Sequence, residues 1–304
     1  MDISRVDPSL RAATKRAPQL KIENRVVLAL ISNLTKFIPG FRTNGVERRV
    51  IRDGDVRVRL FIPPAPTGAG LLWIHGGGLV LGAAAMSDQF CGETARDTGV
   101  TIVSVEYRVA PKHPFPAALD DVYAGWHWMR QHAAELGFDA NRLAVGGQSA
   151  GGGLAACLAQ RLHDEGQPPA AQWLFCPMLD DHTAADRARD ADDNFVWNNR
   201  ANLVGWRSYL GGDPGGAVVS PYAVAARRED LTGLPPTWLY VSDIELFHDE
   251  CVTYAERLAA AGVDVTFRLE HGAAHGFEAW DSDSALAREL LANARTWLGA
   301  RLAA

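Results

Sequence analysis

The chain has little of what marks several protein classes, and each shortage narrows the reading. Cysteine is scarce: Cys91, Cys157, Cys176 and Cys251 lie far apart, without a C-x-x-C pair. That argues against a disulfide framework or a zinc site, and for reduced, mostly buried thiols in a reducing compartment. Residues 26–31 form the most apolar run near the N-terminus. They fall far short of the about 20 residues needed to cross a bilayer. The opening Met1-Asp2-Ile3-Ser4-Arg5 lacks a basic region followed by an apolar core and a small-residue cleavage site. The expectation is a cytoplasmic protein without stable membrane insertion. Basic residues are in the minority, and the net charge of −6 gives no reason to expect nucleic acid or an anionic membrane as partner. Repeats and low-complexity tracts are missing, and so is a phosphate loop of the G-x-x-x-x-G-K-[ST] kind.

What is present is an ordinary globular composition over 304 residues, enough for one large α/β domain with a small appended lid. Residues 1–45 mix charge with apolar residues at helical spacing: Leu20, Val27, Leu30, Ile31, Leu34 and Ile38. This predicts one or two amphipathic helices that pack on the core or cover a site. Alternation at Val56, Val58, Leu60 and Ile62 after Asp53-Gly54 predicts a hairpin, with Arg48, Arg49, Arg52, Arg57 and Arg59 on a solvated face. From residue 71 strands and helices alternate. Strands are expected at 71–74, 100–105, 142–146, 172–176, 237–241 and 265–269. Helices are expected from an N-cap at Ser87 to near Gly99, then at 116–136, 150–165, 248–261 and 282–302. Residues from about 180 to 216 lose the rhythm and read as an insertion. Alternation on this scale predicts a mostly parallel sheet covered on both faces.

One stretch organises the rest: Gly147-Gln148-Ser149-Ala150-Gly151, set between a predicted strand and a predicted helix. A serine in so sharp a turn needs glycine on either side, where a Cβ would strike the crossing backbone. The helix behind it aims free N–H groups and a dipole at the same spot, which suits a nucleophile whose product is an oxyanion. Serine chemistry also needs a base, a group to orient it and oxyanion donors. His75-Gly76-Gly77-Gly78 follows a strand and bares its N–H groups, so Gly77 and Gly78 with Ala150, and Gly76 as a substitute, form the expected oxyanion hole. His75 reads as a brace for that loop. His275 is the expected base, in a glycine-rich loop after the last strand, with His271 as competitor. The acid comes from the loop after the preceding strand. There Asp249 and Glu250 are explained by the helix start, and local reasoning leaves both Asp243 and Glu245 open. The order Ser, acid, His along the chain is that of an α/β-hydrolase.

Taken together, His75-Gly-Gly-Gly, the run from Tyr107 to Asp121, Gly147-Gln-Ser-Ala-Gly-Gly, Ser220-Pro-Tyr, Leu234-Pro-Pro, the Asp249-Glu250 pair and His275-Gly-Phe resemble the hormone-sensitive-lipase-like esterases. The resemblance covers nearly the whole chain. It implies an α/β-hydrolase fold, with a mostly parallel central sheet, helices on both faces and a helical cap. Residues 1–45 would form N-terminal cap helices, and 46–304 the catalytic domain with a cap insertion at about 180–216. In similar proteins the acid lies four residues before the Asp of the Asp-Glu pair, which points to Glu245, where the family usually has Asp. Other departures are Gln148 for Asp, Leu79 for an aromatic and Lys112 for Glu. The resemblance further implies pocket walls at Leu79, Val80, Phe195, Trp197, Trp206, Tyr209 and Phe277. The implied activity is hydrolysis of short to medium acyl esters by a Ser149-His275-Glu245 triad, without a metal or organic cofactor, in a protein that forms a homodimer. The rival readings are an amide or lactone hydrolase, and a non-hydrolytic receptor on the same fold.

Overall fold

In the computed structural model, which describes residues 1–17 and 21–303, eight strands form one sheet. They are β1 (Glu47–Asp53), β2 (Val56–Ile62), β3 (Gly70–Ile74), β4 (Thr101–Val105), β5 (Leu143–Gln148), β6 (Ala171–Phe175), β7 (Thr237–Ser242) and β8 (Val265–Glu270). The order is β1-β2-β4-β3-β5-β6-β7-β8, antiparallel across β1-β2 and β2-β4 and parallel from β4 onward. The helices are α1 (Arg11–Thr14), α2 (Arg25–Leu34), α3 (Asp88–Thr98), α4 (Ala117–Gln131), α5 (Ala133–Leu136), α6 (Ala150–Asp164), α7 (Asp181–Ala185), α8 (Asn199–Leu210), α9 (His248–Ala260), α10 (Phe277–Trp280) and α11 (Ala285–Arg301).

Side chains alternate across the sheet, and each face buries its own set. On β3, Leu72 and Ile74 join a cluster with Val103, Val145 and Trp126 under α4, α6 and α9. Leu71 and Trp73 point the other way, into a cluster with Trp173, Phe175 and Trp238 under α3 and α11. β3 to β6 are apolar on both faces because helices cover both. All four cysteines are free and buried in these layers. Burial pushes the Cys157 thiol up to about 12.

Four local expectations meet a different outcome, in whole or in part. Ser87 holds the expected N-cap position of α3 but makes no side-chain cap, and the first helical residue is Asp88, whose fully buried carboxylate takes Arg59 at 2.5 Å and Arg48 at 2.7 Å. Two of the five hairpin arginines therefore leave the solvated face to neutralise a buried charge. The helix expected at 116–136 breaks after Gln131 and resumes as α5, ended by Gly137 at φ 78°. On α2 the buried residue is Leu28, with Val27 and Ile31 half-buried, whereas Val26, Leu30 and Leu34 are 76%, 59% and 58% exposed. Leu20, part of the same expected stripe, lies outside the described residues. Among the described residues no helix is long and apolar enough to cross a membrane.

Candidate active site

β5 ends at Gln148 and α6 begins at Ala150, leaving Ser149 alone at the junction with φ 55° and ψ −122°. Positive φ is costly for a residue with a side chain, so the surroundings must over-determine it. They do so by close approach: a Cβ on Gly151 would sit 2.1 Å from the Ile74 carbonyl oxygen. Ser149 N–H donates to the Phe175 carbonyl at 2.8 Å, and its own carbonyl accepts from Gly153 and Met178, each at 3.0 Å. Gly153 thus makes the first helical bond of α6. The N–H groups ahead of it, Ala150 included, sit at the positive end of the helix without a carbonyl one turn back.

β3 lies beside β5, which brings His75-Gly76-Gly77-Gly78 to the same end of the sheet. Gly76 borders the turn, 3.4 Å from its ideal Cβ to the Ser149 Cβ. Gly78, at φ 59°, lies against the Trp197 ring, 2.0 Å from where its Cβ would be. Among the described residues, Gly77, Gly78 and Ala150 donate no backbone hydrogen bond outside regular elements. His75 is buried, and its Nδ1 lies 2.7 Å from the Gly76 carbonyl. Its ring stacks on Tyr107 at 4.2 Å, and the Tyr107 hydroxyl donates to the His75 carbonyl at 2.9 Å. Burial lowers the pKa of the His75 imidazole, which keeps it neutral in the loop it holds.

The loops after β7 and β8 close the site. His275 Nε2 lies 2.9 Å from Ser149 Oγ, and His275 Nδ1 lies 2.7 Å from Glu245 Oε2. All three residues are buried, and Phe247 packs edge-on against the imidazole at 5.2 Å. The two competitors from the same loops pair with each other instead. His271 Nδ1 sits 2.9 Å from Asp243 Oδ2, and Gly272 N–H donates to Asp243 Oδ1 at 2.8 Å, away from Ser149. Asp249 follows its helix-start reading loosely, exposed and bonded to Arg189. Glu250 departs from it: the side chain turns inward and accepts from Leu179 N–H at 2.6 Å and from the Thr183 hydroxyl.

Burial pushes Glu250 up to about 8, against those hydrogen bonds. Its folded pKa then exceeds its unfolded one, so the folded state holds the extra proton between about pH 4.5 and 8, and stability falls as pH rises through that window. Thermal unfolding at pH 5 and pH 8 is expected to show a larger loss for wild type than for Glu250→Gln. An equal loss in both would mean the group is ionised throughout.

Of the expected pocket walls, Val80 alone lines the large cavity, about 1530 Å³, that opens between α2, the β1-β2 hairpin and residues 106–114. Tyr107 also lines it, so the cavity borders the glycine loop. Leu79, Trp197, Trp206 and Tyr209 are buried in the core cluster that α8 shares with the sheet. Phe277 is a correction: it is fully buried in the cluster on the opposite face, edge-on to Tyr240, and cannot form a wall. Phe195 packs against that same cluster. The sequence reading passed over Tyr240, Phe247, Glu278 and Trp280, whose roles depend on neighbours far away in the chain. It passed over Cys176 as a site residue too, although the end of β6 is a position that signals one.

Among the described residues two groups have metal-ligand types within 4.8 Å of one another, Cys176-Glu245-His275 and Asp180-Asp181-His182. In the first, imidazole and carboxylate already bond each other, and burial with Glu245 and Glu278 nearby raises the pKa of the Cys176 thiol far above the point where it would give a thiolate. In the second, Asp181 is taken by Arg227 and Asp180 by His182.

A family profile described as "alpha/beta hydrolase fold" matches residues 71–279. Esterase LipI of Mycobacterium tuberculosis is 36% identical over 233 residues, 74% of this chain and 71% of that protein. The ethyl acetate hydrolase of Pseudomonas putida is 33% identical over 238 residues, 74% of this chain and 73% of that one. Among solved structures, a bacterial heroin esterase is 37% identical with a TM-score of 0.90, covering 99% of both chains. With the sheet order and the strand-turn-helix at Ser149, these matches show that the chain belongs to the α/β-hydrolase family, among its hormone-sensitive-lipase-like esterases.

Proposed function

We propose that the protein is a carboxylic-ester hydrolase with Ser149 as nucleophile, His275 as base and Glu245 as the acid that orients the imidazole. One observation carries the reading: the buried hydrogen-bonded line from Glu245 through His275 to Ser149, 2.7 Å and then 2.9 Å long. Ser149 Oγ adds to the ester carbonyl carbon while His275 Nε2 takes its proton. The N–H groups of Gly77, Gly78 and Ala150, with Gly76 as an alternative donor, receive the oxyanion. The imidazolium, steadied by Glu245, returns the proton to the departing alcohol, and the bond from acyl carbon to alcohol oxygen breaks. Water then repeats the sequence on the acyl-enzyme, freeing the acid and restoring Ser149.

Residues 1–45 and about 180–216 are proposed to act as the cap. Trp197 lies on the glycine loop, and α2 lines the neighbouring cavity. Short to medium acyl esters are the proposed substrates, in keeping with one relative named for ethyl acetate. The test is hydrolysis of p-nitrophenyl esters from acetate to palmitate, with organophosphonate labelling beside it. The expected result is turnover highest at the short end and a single labelled serine. Turnover of anilides or lactones but of no ester would transfer the reaction to those substrates. A folded protein that neither turns over nor labels would be a receptor.

A further inference from the structure

A buried polar chain behind the imidazole takes no part in the steps above. Glu278 lies in α10, three residues after His275, and is 2% exposed. One carboxyl oxygen accepts from Gln148 Nε2 at 2.6 Å, and the other is hydrogen-bonded to the Tyr240 hydroxyl, on β7. That hydroxyl also reaches Cys176 Sγ at 3.6 Å. Gln148 immediately precedes Ser149, and its side chain spans the two glycine loops around the site. A Cβ on Gly76 would sit 3.5 Å from its Oε1, and one on Gly276 would sit 3.4 Å from its Nε2. Trp280, in the same short helix as Glu278, donates Nε1–H to the His275 carbonyl at 2.9 Å. These links tie the histidine loop to the nucleophile turn.

We propose that Glu278 is a positioning residue: a neutral carboxyl group that fixes the His275 loop against the Ser149 turn through Gln148 and Tyr240. The inference rests on the hydrolase reading above. The hydrogen bonds accommodate the neutral form, and the surroundings favour it, since among the described residues the buried carboxyl group pairs with no Lys or Arg. A protonated Glu278 donates to the Tyr240 oxygen, Tyr240 donates to Cys176 Sγ, and Gln148 donates to the remaining carboxyl oxygen, so each of these contacts has a donor and an acceptor. An ionised Glu278 would instead claim the Tyr240 proton and set a second negative charge near the imidazole that Glu245 already serves. Burial favours the same answer: it raises the pKa of Glu278, although the bonds from Tyr240 and Gln148 act the other way.

The test is steady-state kinetics and pH profiles of Glu278→Leu and Glu278→Gln beside wild type. Leucine strands the Gln148 amide and the Tyr240 hydroxyl in the interior. Its kcat is expected to fall about 10- to 100-fold with KM little changed, the size usual when support behind a reacting group is lost. Glutamine offers a carbonyl to Gln148 and an N–H to Tyr240. It is expected to recover most of kcat and keep the acid limb of kcat/KM, which reports the imidazole, at its wild-type pH. An unchanged kcat in the leucine variant overturns the positioning role. A glutamine variant as slow as leucine, or with an acid limb moved to lower pH as removal of a negative charge requires, overturns the neutral carboxyl. If the leucine variant does not fold, the glutamine profile decides, with NMR titration of the His275 ring in both proteins as a readout that needs no turnover. A wild type inactive on every ester, anilide and lactone refutes the hydrolase reading instead, which separates the two failures.

Discussion

Ser149→Ala is expected to lower kcat for a p-nitrophenyl ester by about 10⁵- to 10⁶-fold while the protein stays folded. The loss is large because attack, proton transfer and the covalent intermediate all pass through one oxygen. What survives is the contribution of the N–H donors and of substrate binding, about 10³- to 10⁴-fold over water in comparable enzymes. His275→Ala and the double variant are expected to match the single one, since a base without a nucleophile has nothing to do. Steady-state kinetics on the three purified variants, with circular dichroism as the check on folding, would settle the point. A Ser149→Ala protein within tenfold of wild type would mean that another group attacks. Additive losses in the double variant would mean that Ser149 and His275 act separately.

Gly151→Ala is expected to leave no folded enzyme. The new methyl carbon would sit 2.1 Å from the Ile74 carbonyl oxygen and 2.4 Å from that of His75, both backbone atoms of β3 and its glycine loop. Neither can yield without separating β3 from β5, so the cost exceeds the about 4–5 kcal/mol seen for the most damaging single substitutions. Gly299→Ala is the matched control, in the last turn of α11 with no atom within 4 Å of its Cβ position. There alanine is expected to stabilise by up to about 1 kcal/mol. Soluble yield and thermal unfolding of the two variants measure the contrast. A folded Gly151→Ala protein would show that the β3-β5 junction is softer than its packing implies.

The alternation of strands and helices, the serine turn and the glycine loop were legible because each is written in consecutive residues whose steric demands are local. The acid was not. Asp243 and Glu245 stand two positions apart in one loop, and only the arrangement of β7 against β8 decides that Asp243 meets His271 while Glu245 meets His275. Glu278 was illegible for a stronger reason, since its partners come from the end of β5 and from within β7, far apart in the chain. The aromatic residues at 195–209 invited a reading as pocket walls. The inner face of α8, however, packs Trp206 and Tyr209 into the core beside Trp197, Phe195 packs against the cluster on the opposite face, and Gly205 lets α8 approach the Gly78 carbonyl. On α2 residues 26–31 are all apolar, so spacing could not choose which face to bury.

The left-handed backbone at Ser149 also limits which atom can attack. At φ 55° a branched Cβ would crowd the flanking carbonyls, so threonine is a poor occupant even though its hydroxyl has ordinary reactivity. Cysteine differs from serine only beyond Cβ and fits the same backbone. Any lineage built on this turn is thus free to trade oxygen for sulfur, but exchanging a primary for a secondary alcohol would first require it to unbend the chain.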